Sequence, residues 1–535
     1  MATGMDSSSR RRSRLATAIV ATAIAVSPFR AAPQVQPARR PALVVIVVVD
    51  QLARGRVDPS LPGGLGRLLR EGRVFADATL AHGVTETCPG HAAISTGLQP
   101  GRAGVPGNTV FVEGRPRYCA ADGSSALLRS DALADWIRAA GGHAIAISEK
   151  DRAAIMLGGR RPDLAIWLDP AAGFTTARRD GAQAPPWVAR FDAARGLAPF
   201  DAARLPERWS HRSDDPRALA DDTPSESDRW SRTSPHPVRA ATLAGTVERL
   251  LRTPFADALT LDLARAAVEE ERLGSRAATD LVAISLSATD HILHAYGPDA
   301  QEAAAALGEL DRQLGEFLEF LEARVTRDRL LVVLTADHGG APVPEVAEAL
   351  GASECRVPGG RVMGKALASR IGALARDACG LAAEPQVAWD GNSAFALPVE
   401  AWRACHGPRA TAAAAVAAAL GSEPGVVKAW TAADVGARPC SGACALFRAS
   451  FDPERSGDWV VQLDPHCMLT SEPAGAGHGS PYAYDRAVPI VFWGNGIAPY
   501  VVRGLARTID VAPTIASRLG LAPDLARDGR SLPLR

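Results

Sequence analysis

The chain has 535 residues, of which 47% are hydrophobic and 5% aromatic, so it can bury a large core, and we expect one large domain with insertions or two domains. Lys and Arg together number 59, as do Asp and Glu, which leaves a formal net charge of zero. Without a basic surplus, the composition argues against nucleic acid or an anionic membrane as the main partner.

The N-terminus has the pattern of a secretory signal peptide. In RRRSRLATAIVATAIAVSPFRAAP, a cluster of Arg precedes a short apolar run and then Ser, Pro and Ala. We predict that residues 1–33 are a signal peptide and that the mature protein is periplasmic or secreted, with no stable membrane span after cleavage. The apolar run is short for a span of roughly 20 residues, so an uncleaved anchor is the weaker alternative, and a disordered cytoplasmic tail is another.

Eight cysteines fit an exported protein with some disulfides, because oxidising compartments preserve them. Their spacing does not decide the pairing. A zinc knuckle is the competing interpretation, although the cysteines do not form two tight pairs. Most of them lie towards the C-terminus: Cys355, Cys379, Cys405, Cys440, Cys444 and Cys467.

The first predicted strand and the segment after it carry the first candidate site residues. Leu43–Val49 is a continuous apolar run typical of a parallel strand buried on both faces. Asp50 ends that strand, where α/β folds bind ligands, although an ordinary helix cap is the alternative. After a short amphipathic helix at 63–72, the stretch TETCPGHAA presents Thr87, our candidate nucleophile, whose hydroxyl needs activation by other groups.

The next segments supply candidate anion-binding groups. A turn-rich stretch contains Asn108 in GNTVF, and a helix at SDALADWIRAAGG leads into the strand HAIAIS. Lys150 and Arg152 follow that strand directly and could form a cationic clamp, with a solvated charge cluster as the alternative. Residues 170–240 are rich in Pro, Arg, Asp and Ser with little periodicity, so we predict a surface insertion there.

Two later strands each end in Asp-His, which is the strongest internal signal in the sequence. In LVAISLSATDHILHAYGP, Asp290 and His294 are four residues apart, so one helical turn places them on the same face. A long helix is predicted at about 299–325. The strand LLVVLTADHGG then ends in Asp337 and His338, which the following Gly-Gly allows to diverge.

The C-terminal part is predicted to hold a smaller lobe and then return to the core. Residues 341–470 mix Ala-rich helices with short strands, which indicates a smaller α+β cap. Residues 471–535 carry His478 in a Gly-rich loop, a buried strand and a closing helix at ARTIDVAPTIASRLGL. With 42–340 as the first part of the core, we predict an α/β fold with a doubly wound, mostly parallel sheet and helices on both faces.

Three carboxylates and three imidazoles close these strands or lie in Gly-rich loops, and they are ligands that a pair of zinc ions takes. Any one of these motifs alone is weak evidence for a metal site, whereas all of them together in one chain favour it. Two metals about 4 Å apart can bind the attacking and leaving oxygens of an in-line displacement and so activate Thr87. The candidate ligands are Asp50, Asp290, His294, Asp337, His338 and His478.

In their order along the chain, these motifs resemble the alkaline phosphatase superfamily. The resemblance is closest to the branch that groups type I phosphodiesterase/nucleotide pyrophosphatases with phosphate-irrepressible, Thr-nucleophile alkaline phosphatases, and it runs from about residue 42 to 525. It implies an alkaline phosphatase-like core with two zinc ions. It further implies that one zinc is bound by Asp290, His294 and His478, and the other by Asp50, Thr87, Asp337 and His338.

Asn108, Lys150 and Arg152 resemble the groups with which Thr-dependent monoesterases contact the phosphoryl oxygens. A monoester dianion carries one more negative charge than a diester, so two cations and an amide favour the monoester, by roughly 1.5 to 3 kcal/mol for each charge-assisted hydrogen bond. Sulfatases share this fold, but they need the motif C-x-P/A-x-R. This chain has Ala92 in place of the Arg, which argues against a sulfatase.

We therefore predict an exported alkaline phosphatase that hydrolyses small-molecule phosphate esters through a covalent phosphothreonine, with two zinc ions and no nucleic-acid partner. A phosphodiesterase or nucleotide pyrophosphatase on the same core is the enzyme alternative. An exported binding protein with a degenerate phosphatase fold is the non-catalytic alternative, although no expected ligand is missing. The oligomeric state is not predicted.

Overall fold

The computed structural model describes residues 40–176, 183–212, 218–437, 439–523 and 525–534. The predicted signal peptide at 1–33 lies outside the described residues, as does part of the predicted insertion at 170–240. Among the described residues, no helix has both the length and the apolarity to cross a bilayer.

Strands and helices alternate along most of the chain. The strands are β1 (Leu43–Val49), β2 (Arg73–Thr79), β3 (Thr109–Val112), β4 (Arg115–Tyr118), β5 (Ala144–Ser148), β6 (Leu164–Asp169), β7 (Gly173–Thr176), β8 (Arg208–Trp209), β9 (His236–Pro237), β10 (Asp280–Leu286), β11 (Leu330–Thr335), β12 (Arg361–Met363), β13 (Ala388–Trp389), β14 (Ala394–Ala396), β15 (Val426–Thr431), β16 (Trp459–Leu463), β17 (Met468–Thr470), β18 (Ile490–Gly494) and β19 (Tyr500–Arg507).

The helices are α1 (Gly64–Glu71), α2 (Thr87–Thr96), α3 (Pro100–Ala103), α4 (Leu133–Ala139), α5 (Asp151–Gly158), α6 (Pro186–Arg195), α7 (Leu243–Leu250), α8 (Phe255–Glu270), α9 (Ala288–Tyr296), α10 (Gln301–Arg324), α11 (Pro344–Ala349), α12 (Gly364–Cys379), α13 (Val399–Arg403), α14 (Arg409–Leu420), α15 (Ala432–Gly436), α16 (Ala443–Ser450), α17 (Ala483–Arg486) and α18 (Val511–Leu519).

Nine strands form the central sheet in the order β19-β2-β18-β11-β1-β10-β5-β6-β7. The inner strands β11, β1, β10, β5 and β6 are parallel to one another. The strand β18 is antiparallel to both of its neighbours, and β7 is antiparallel to β6. This arrangement confirms the predicted α/β class with a mostly parallel sheet.

Helices cover both faces of the sheet, and β1 contributes to both layers of the core. Its alternate residues Val45 and Val47 belong to a cluster that includes side chains of α1, α8 and α10. Its intervening residues Val44 and Ile46 belong to a second cluster with side chains of α2, α4 and α18. A strand buried on both faces needs apolar residues at every position, which explains the unbroken apolar run at β1.

A second, smaller sheet of four antiparallel strands follows in the order β13-β14-β16-β15. Its core includes Phe395 and Trp459 from the strands, with Ile371 of α12 and Val416 of α14 packed against them. These elements all lie within the segment for which the sequence predicts a smaller α+β lobe.

The predicted surface insertion contributes to the main core. Trp187, Leu197, Trp209 and Val238 are buried in the same cluster as β1. These apolar residues follow neither a strand nor a helix period, so periodicity does not reveal their burial.

All eight cysteines are paired in disulfides. A disulfide between Cys88 and Cys119 joins the start of α2 to the segment after β4. The other pairs are Cys355–Cys467, Cys379–Cys405 and Cys440–Cys444. The cysteines are therefore structural links in this structure, and no zinc knuckle forms among the described residues.

Candidate active site

The candidate site lies where four parallel strands end side by side. Asp50 follows β1, Lys150 follows β5, Asp337 follows β11, and Asp290 lies in the first turn of α9, which follows β10. Because parallel strands have their carboxyl ends at the same edge of a sheet, side chains far apart in sequence meet there.

Asp50, Asp337 and His338 form one potential metal-binding group, with ligand atoms all within 4.8 Å of one another. All three side chains are fully buried. Among the described residues, Asp50 Oδ1, Asp337 Oδ2 and His338 Nε2 have no hydrogen-bond partner. Buried polar atoms are rarely left unpaired, so three such atoms facing one another fit a cation.

Asp290, His294 and His478 form a second group of the same kind. Asp290 Oδ1 lies 3.3 Å from His294 Nε2 and 3.5 Å from His478 Nε2. The rings of His478 and His338 stack with centroids 3.8 Å apart, which places the two groups next to each other. The structure thus divides the six candidate ligands into two adjacent sets.

Each of the three imidazoles is oriented by a backbone carbonyl. The Nδ1 atoms of His294, His338 and His478 lie 2.8, 2.9 and 2.7 Å from the carbonyl oxygens of Ala476, Gly339 and Thr85, respectively. A carbonyl oxygen only accepts, so each Nδ1 carries a hydrogen and donates it. Each Nε2 is then the nitrogen that faces the site, which is the usual arrangement of metal-binding histidines.

Burial keeps two of these rings neutral. It lowers the pKa of His338 to about 4. It lowers the pKa of His478 to about 3, with the neighbouring His338 and His294 adding to the effect. At neutral pH both rings therefore have a free lone pair, which a metal ligand requires.

Thr87 is the first residue of α2, and its segment contacts both ligand sets. On one side, Thr85 holds His478 as described above. On the other side, His91 Nδ1 lies 2.8 Å from the Thr87 carbonyl oxygen and 3.2 Å from Asp337 Oδ2. Gly90 allows this packing, because a Cβ there would lie 2.4 Å from the Asp337 carbonyl oxygen.

Lys150 lies between the two ligand sets. Its Nζ donates to Asp50 Oδ2 at 2.6 Å and to Asp290 Oδ2 at 2.5 Å. Burial alone lowers the pKa of Lys150, but Asp290 and Asp50 outweigh it and raise the pKa above its ordinary value. The ammonium group is therefore a permanent cation inside the site.

Asn108 is fixed by three hydrogen bonds. Its backbone N–H donates to Glu86 Oε2 at 2.9 Å, and its carbonyl accepts from the Cys119 N–H at 2.9 Å. Its side-chain Oδ1 accepts from the Cys88 N–H at 2.8 Å. Because the amide oxygen is occupied in this way, the amide NH₂ is the end left to bind another group.

A cavity of about 530 Å³ opens over the site. Asn108, Arg152, Asp290, His294 and His478 line it. Arg152 Nε is buried without a hydrogen-bond partner among the described residues. The cavity therefore combines a cation, an amide donor and potential metal ligands in a space large enough for a small molecule.

Several residues that position this site are not among the site residues predicted from the sequence. Gln51 adopts a positive φ of 64° directly after Asp50, and its N–H donates to Asp337 Oδ1 at 3.2 Å. Glu86 holds Asn108, and Ser287 Oγ donates to Asp50 Oδ2 at 3.2 Å. Only their place next to predicted site residues in the sequence could have drawn attention to Gln51 and Glu86.

The chain matches a known protein family along most of its length. The model of the type I phosphodiesterase/nucleotide pyrophosphatase family matches residues 44–477. The alkaline phosphatase PhoK of Sphingomonas sp. is 32% identical, over 92% of this chain and 91% of its own. The alkaline phosphatase PhoD of Zymomonas mobilis is 29% identical, over 92% of this chain and 88% of its own.

Among solved structures, wild-type alkaline phosphatase PafA is similar in fold. Its TM-score is 0.83 at 23% identity, with 92% of this chain and 98% of that chain covered. A PafA variant with a threonine, an asparagine, a lysine and an arginine replaced aligns equally well.

Proposed function

Because the chain belongs to the type I phosphodiesterase/nucleotide pyrophosphatase family, we propose that it hydrolyses phosphate monoesters with two bound zinc ions and a phosphothreonine intermediate at Thr87. The chain is a phosphatase, like the relatives that match it over most of its length. The observation that carries the proposal is the meeting of two ligand sets next to the segment of Thr87, one of which has three unpaired buried atoms that face one another.

In this proposal, Asp50, Asp337, His338 and Thr87 would hold one zinc. Asp290, His294 and His478 would hold the other. Bound zinc would act as a Lewis acid that favours the ionised Thr87 hydroxyl and stabilises the charge on the leaving oxygen.

The reaction that follows has two displacements. Thr87 Oγ1 loses its proton and attacks phosphorus, while the bond from phosphorus to the ester oxygen breaks and the alcohol leaves with a proton. Water then attacks the phosphothreonine, which releases inorganic phosphate and restores the Thr87 hydroxyl. The position of Thr87 at the first residue of α2 supports this role, because the positive end of a helix favours a phosphoryl group.

Asn108, Lys150 and Arg152 are proposed to hold the transferred phosphoryl group. The free amide NH₂ of Asn108, the buried ammonium of Lys150 and the unpaired Nε of Arg152 supply donors. Phosphoryl transfer depends mainly on such positioning and electrostatic stabilisation. In the PafA variant, the replaced threonine and asparagine are separated by the same number of residues as Thr87 and Asn108. Its replaced lysine and arginine are separated by the same number as Lys150 and Arg152.

We also infer that the protein is exported. The complete pairing of its cysteines supports an oxidising compartment, in agreement with the signal pattern in the sequence. The proposed substrates are small-molecule phosphate esters that fit the cavity over the site.

The central test compares Thr87→Ala with Thr87→Ser and with Thr411→Ala, a control at an exposed helical threonine. We expect Thr87→Ala to lose at least a thousandfold in aryl phosphate hydrolysis, Thr87→Ser to keep part of it, and Thr411→Ala to match the wild type. Mass spectrometry of acid-quenched wild type should locate the phosphoryl group on Thr87. Full activity of folded Thr87→Ala would refute the proposed nucleophile.

A second test separates monoesterase from diesterase. Lys150→Ala and Arg152→Ala should lower kcat/KM for an aryl monoester by roughly 10- to 150-fold each, from charge-assisted hydrogen bonds of about 1.5–3 kcal/mol. They should affect a matched aryl diester less, because it carries one negative charge fewer. Wild-type preference for the diester, unaffected by both substitutions, would favour the phosphodiesterase alternative.

A further inference from the structure

A second cluster of histidines and carboxylates lies outside the candidate active site. It is formed by His211 after β8, His236 in β9 and Glu302 near the start of α10. Two of these residues belong to the predicted insertion at 170–240, for which the sequence indicates no chemistry.

The three potential ligand atoms are spaced as around a single ion. His211 Nε2 lies 3.1 Å from His236 Nε2, and Glu302 Oε1 lies 3.1 Å from His236 Nε2 and 3.4 Å from His211 Nε2. Tetrahedral zinc with bonds of about 2.0–2.1 Å separates its ligand atoms by about 3.3 Å. The triangle therefore has the dimensions of one face of a zinc site.

A fourth oxygen is close by. Asp221 Oδ1 lies 3.9 Å from His211 Nε2 and has no hydrogen-bond partner among the described residues. Its other oxygen, Oδ2, accepts from the Ser234 N–H at 3.1 Å. A small movement of Asp221 would complete the tetrahedron.

The cluster is buried and has an excess of carboxylates. The side chains of His211 and His236 are 3% and 4% exposed, and that of Glu302 is fully buried. Glu226 and Asp221 both interact electrostatically with Glu302. Among the described residues, Glu226 Oε2 and Glu302 Oε2 have no hydrogen-bond partner, and buried polar atoms are rarely left unpaired.

His236 is oriented as a metal ligand. Its Nδ1 lies 3.0 Å from the Ser231 carbonyl oxygen and 3.1 Å from the Tyr296 hydroxyl. Nδ1 donates to the carbonyl, so Nε2 is the ring nitrogen that faces Glu302 and His211 and is placed to bind a metal.

We propose that His211, His236, Glu302 and Asp221 form a structural zinc site, separate from the two proposed catalytic ions. Two imidazoles favour zinc over calcium, which prefers oxygen ligands. A site closed by four protein ligands is structural, because it leaves no open position for a substrate.

This site would fasten the insertion to the helices beside the active site. Tyr296, which contacts His236, ends the helix that carries Asp290 and His294. The Ser227 N–H donates to the Ala295 carbonyl at 2.8 Å, and both Ser227 and Arg229 line the cavity over the site. The ion would thus hold one wall of that cavity in place.

The test measures zinc bound per chain in the full-length protein after zinc loading and removal of excess metal. His211→Ala and Glu302→Gln should each bind one zinc fewer than the wild type, while His406→Ala, at an exposed histidine elsewhere, should bind the same number. Both cluster variants keep every proposed catalytic ligand, so the difference does not depend on the active site. Equal zinc content in folded cluster variants and wild type would overturn the proposal.

Crystals of the zinc-loaded wild type give an answer even if the variants do not fold. An anomalous peak between His211 Nε2, His236 Nε2 and Glu302 Oε1, present above the zinc absorption edge and absent below it, is expected. A peak-free cluster in such crystals would show that protons alone bridge these residues, and would refute the site.

Discussion

At Asn108, three hydrogen bonds decide which end of a side-chain amide can meet a substrate. The oxygen accepts from the Cys88 N–H at the start of α2, while the backbone is held by Glu86 and Cys119. The proposed phosphoryl contact therefore depends on the NH₂ group alone.

Two substitutions at Asn108 test this orientation. Asn108→Asp keeps the acceptor for Cys88 but replaces the donor with a negative charge, whereas Asn108→Ala removes both the donor and the acceptor. We expect Asn108→Ala to lower kcat/KM for a monoester by roughly 10- to 150-fold, as for a hydrogen bond to a charged group of about 1.5–3 kcal/mol, and Asn108→Asp to lower it further. If Asn108→Asp is as active as the wild type in steady-state assays, the amide does not face the phosphoryl group.

At the scale of elements, the close packing of α2 on the strand end after β11 positions the proposed nucleophile. Gly90 is the point of closest approach, because a Cβ there would meet both the carbonyl oxygen and the Cβ of Asp337. The helix and the Asp337 ligand therefore cannot both keep their places if a side chain is added.

Gly90→Ala should accordingly lower both activity and stability. We expect at least a tenfold fall in kcat/KM and a lower Tm, since the clash involves backbone atoms that cannot rotate away. Gly308→Ala is the matched control: Gly308 lies exposed in α10 with nothing within 4 Å of an added Cβ. That control should raise stability by up to about 1 kcal/mol through helix propensity, and unchanged activity in Gly90→Ala would contradict the packing argument.

For the whole molecule, Asp192 of α6 links stability to pH. Burial raises the pKa of Asp192 from its ordinary value to about 7. The folded protein then binds this proton more tightly than the unfolded chain, so the contribution of Asp192 to stability falls as the pH rises from about 4 to about 7.

Replacing the carboxyl group of Asp192 with an amide should remove this loss of stability at higher pH. We expect the Tm of Asp192→Asn, relative to wild type, to increase by a few degrees between pH 5 and pH 8, from a difference on the order of 2 kcal/mol. Asp122→Asn, at an exposed aspartate, is the control and should track the wild type at both pH values. A Tm difference that stays constant with pH would show that Asp192 is ionised throughout.

The sequence by itself determined the α/β class, the family resemblance and the order of the motifs, because these follow from local patterns. An unbroken apolar run predicts a buried parallel strand, and an acid directly after it, such as Asp50 or Asp337, must lie at the ligand-binding edge of the sheet. The predicted fold class is confirmed, as is the family, whereas the roles of the individual site residues remain predictions.

Only the tertiary structure decided which side chains lie close together. It divided the six candidate ligands into two sets, placed Lys150 between Asp50 and Asp290, and paired the cysteines. It also joined His211, His236 and Glu302, which lie 25 and 66 residues apart along the chain. No repeat or period connects residues at such distances, because their meeting depends on how the insertion packs against α9 and α10, and packing is a property of the whole folded chain.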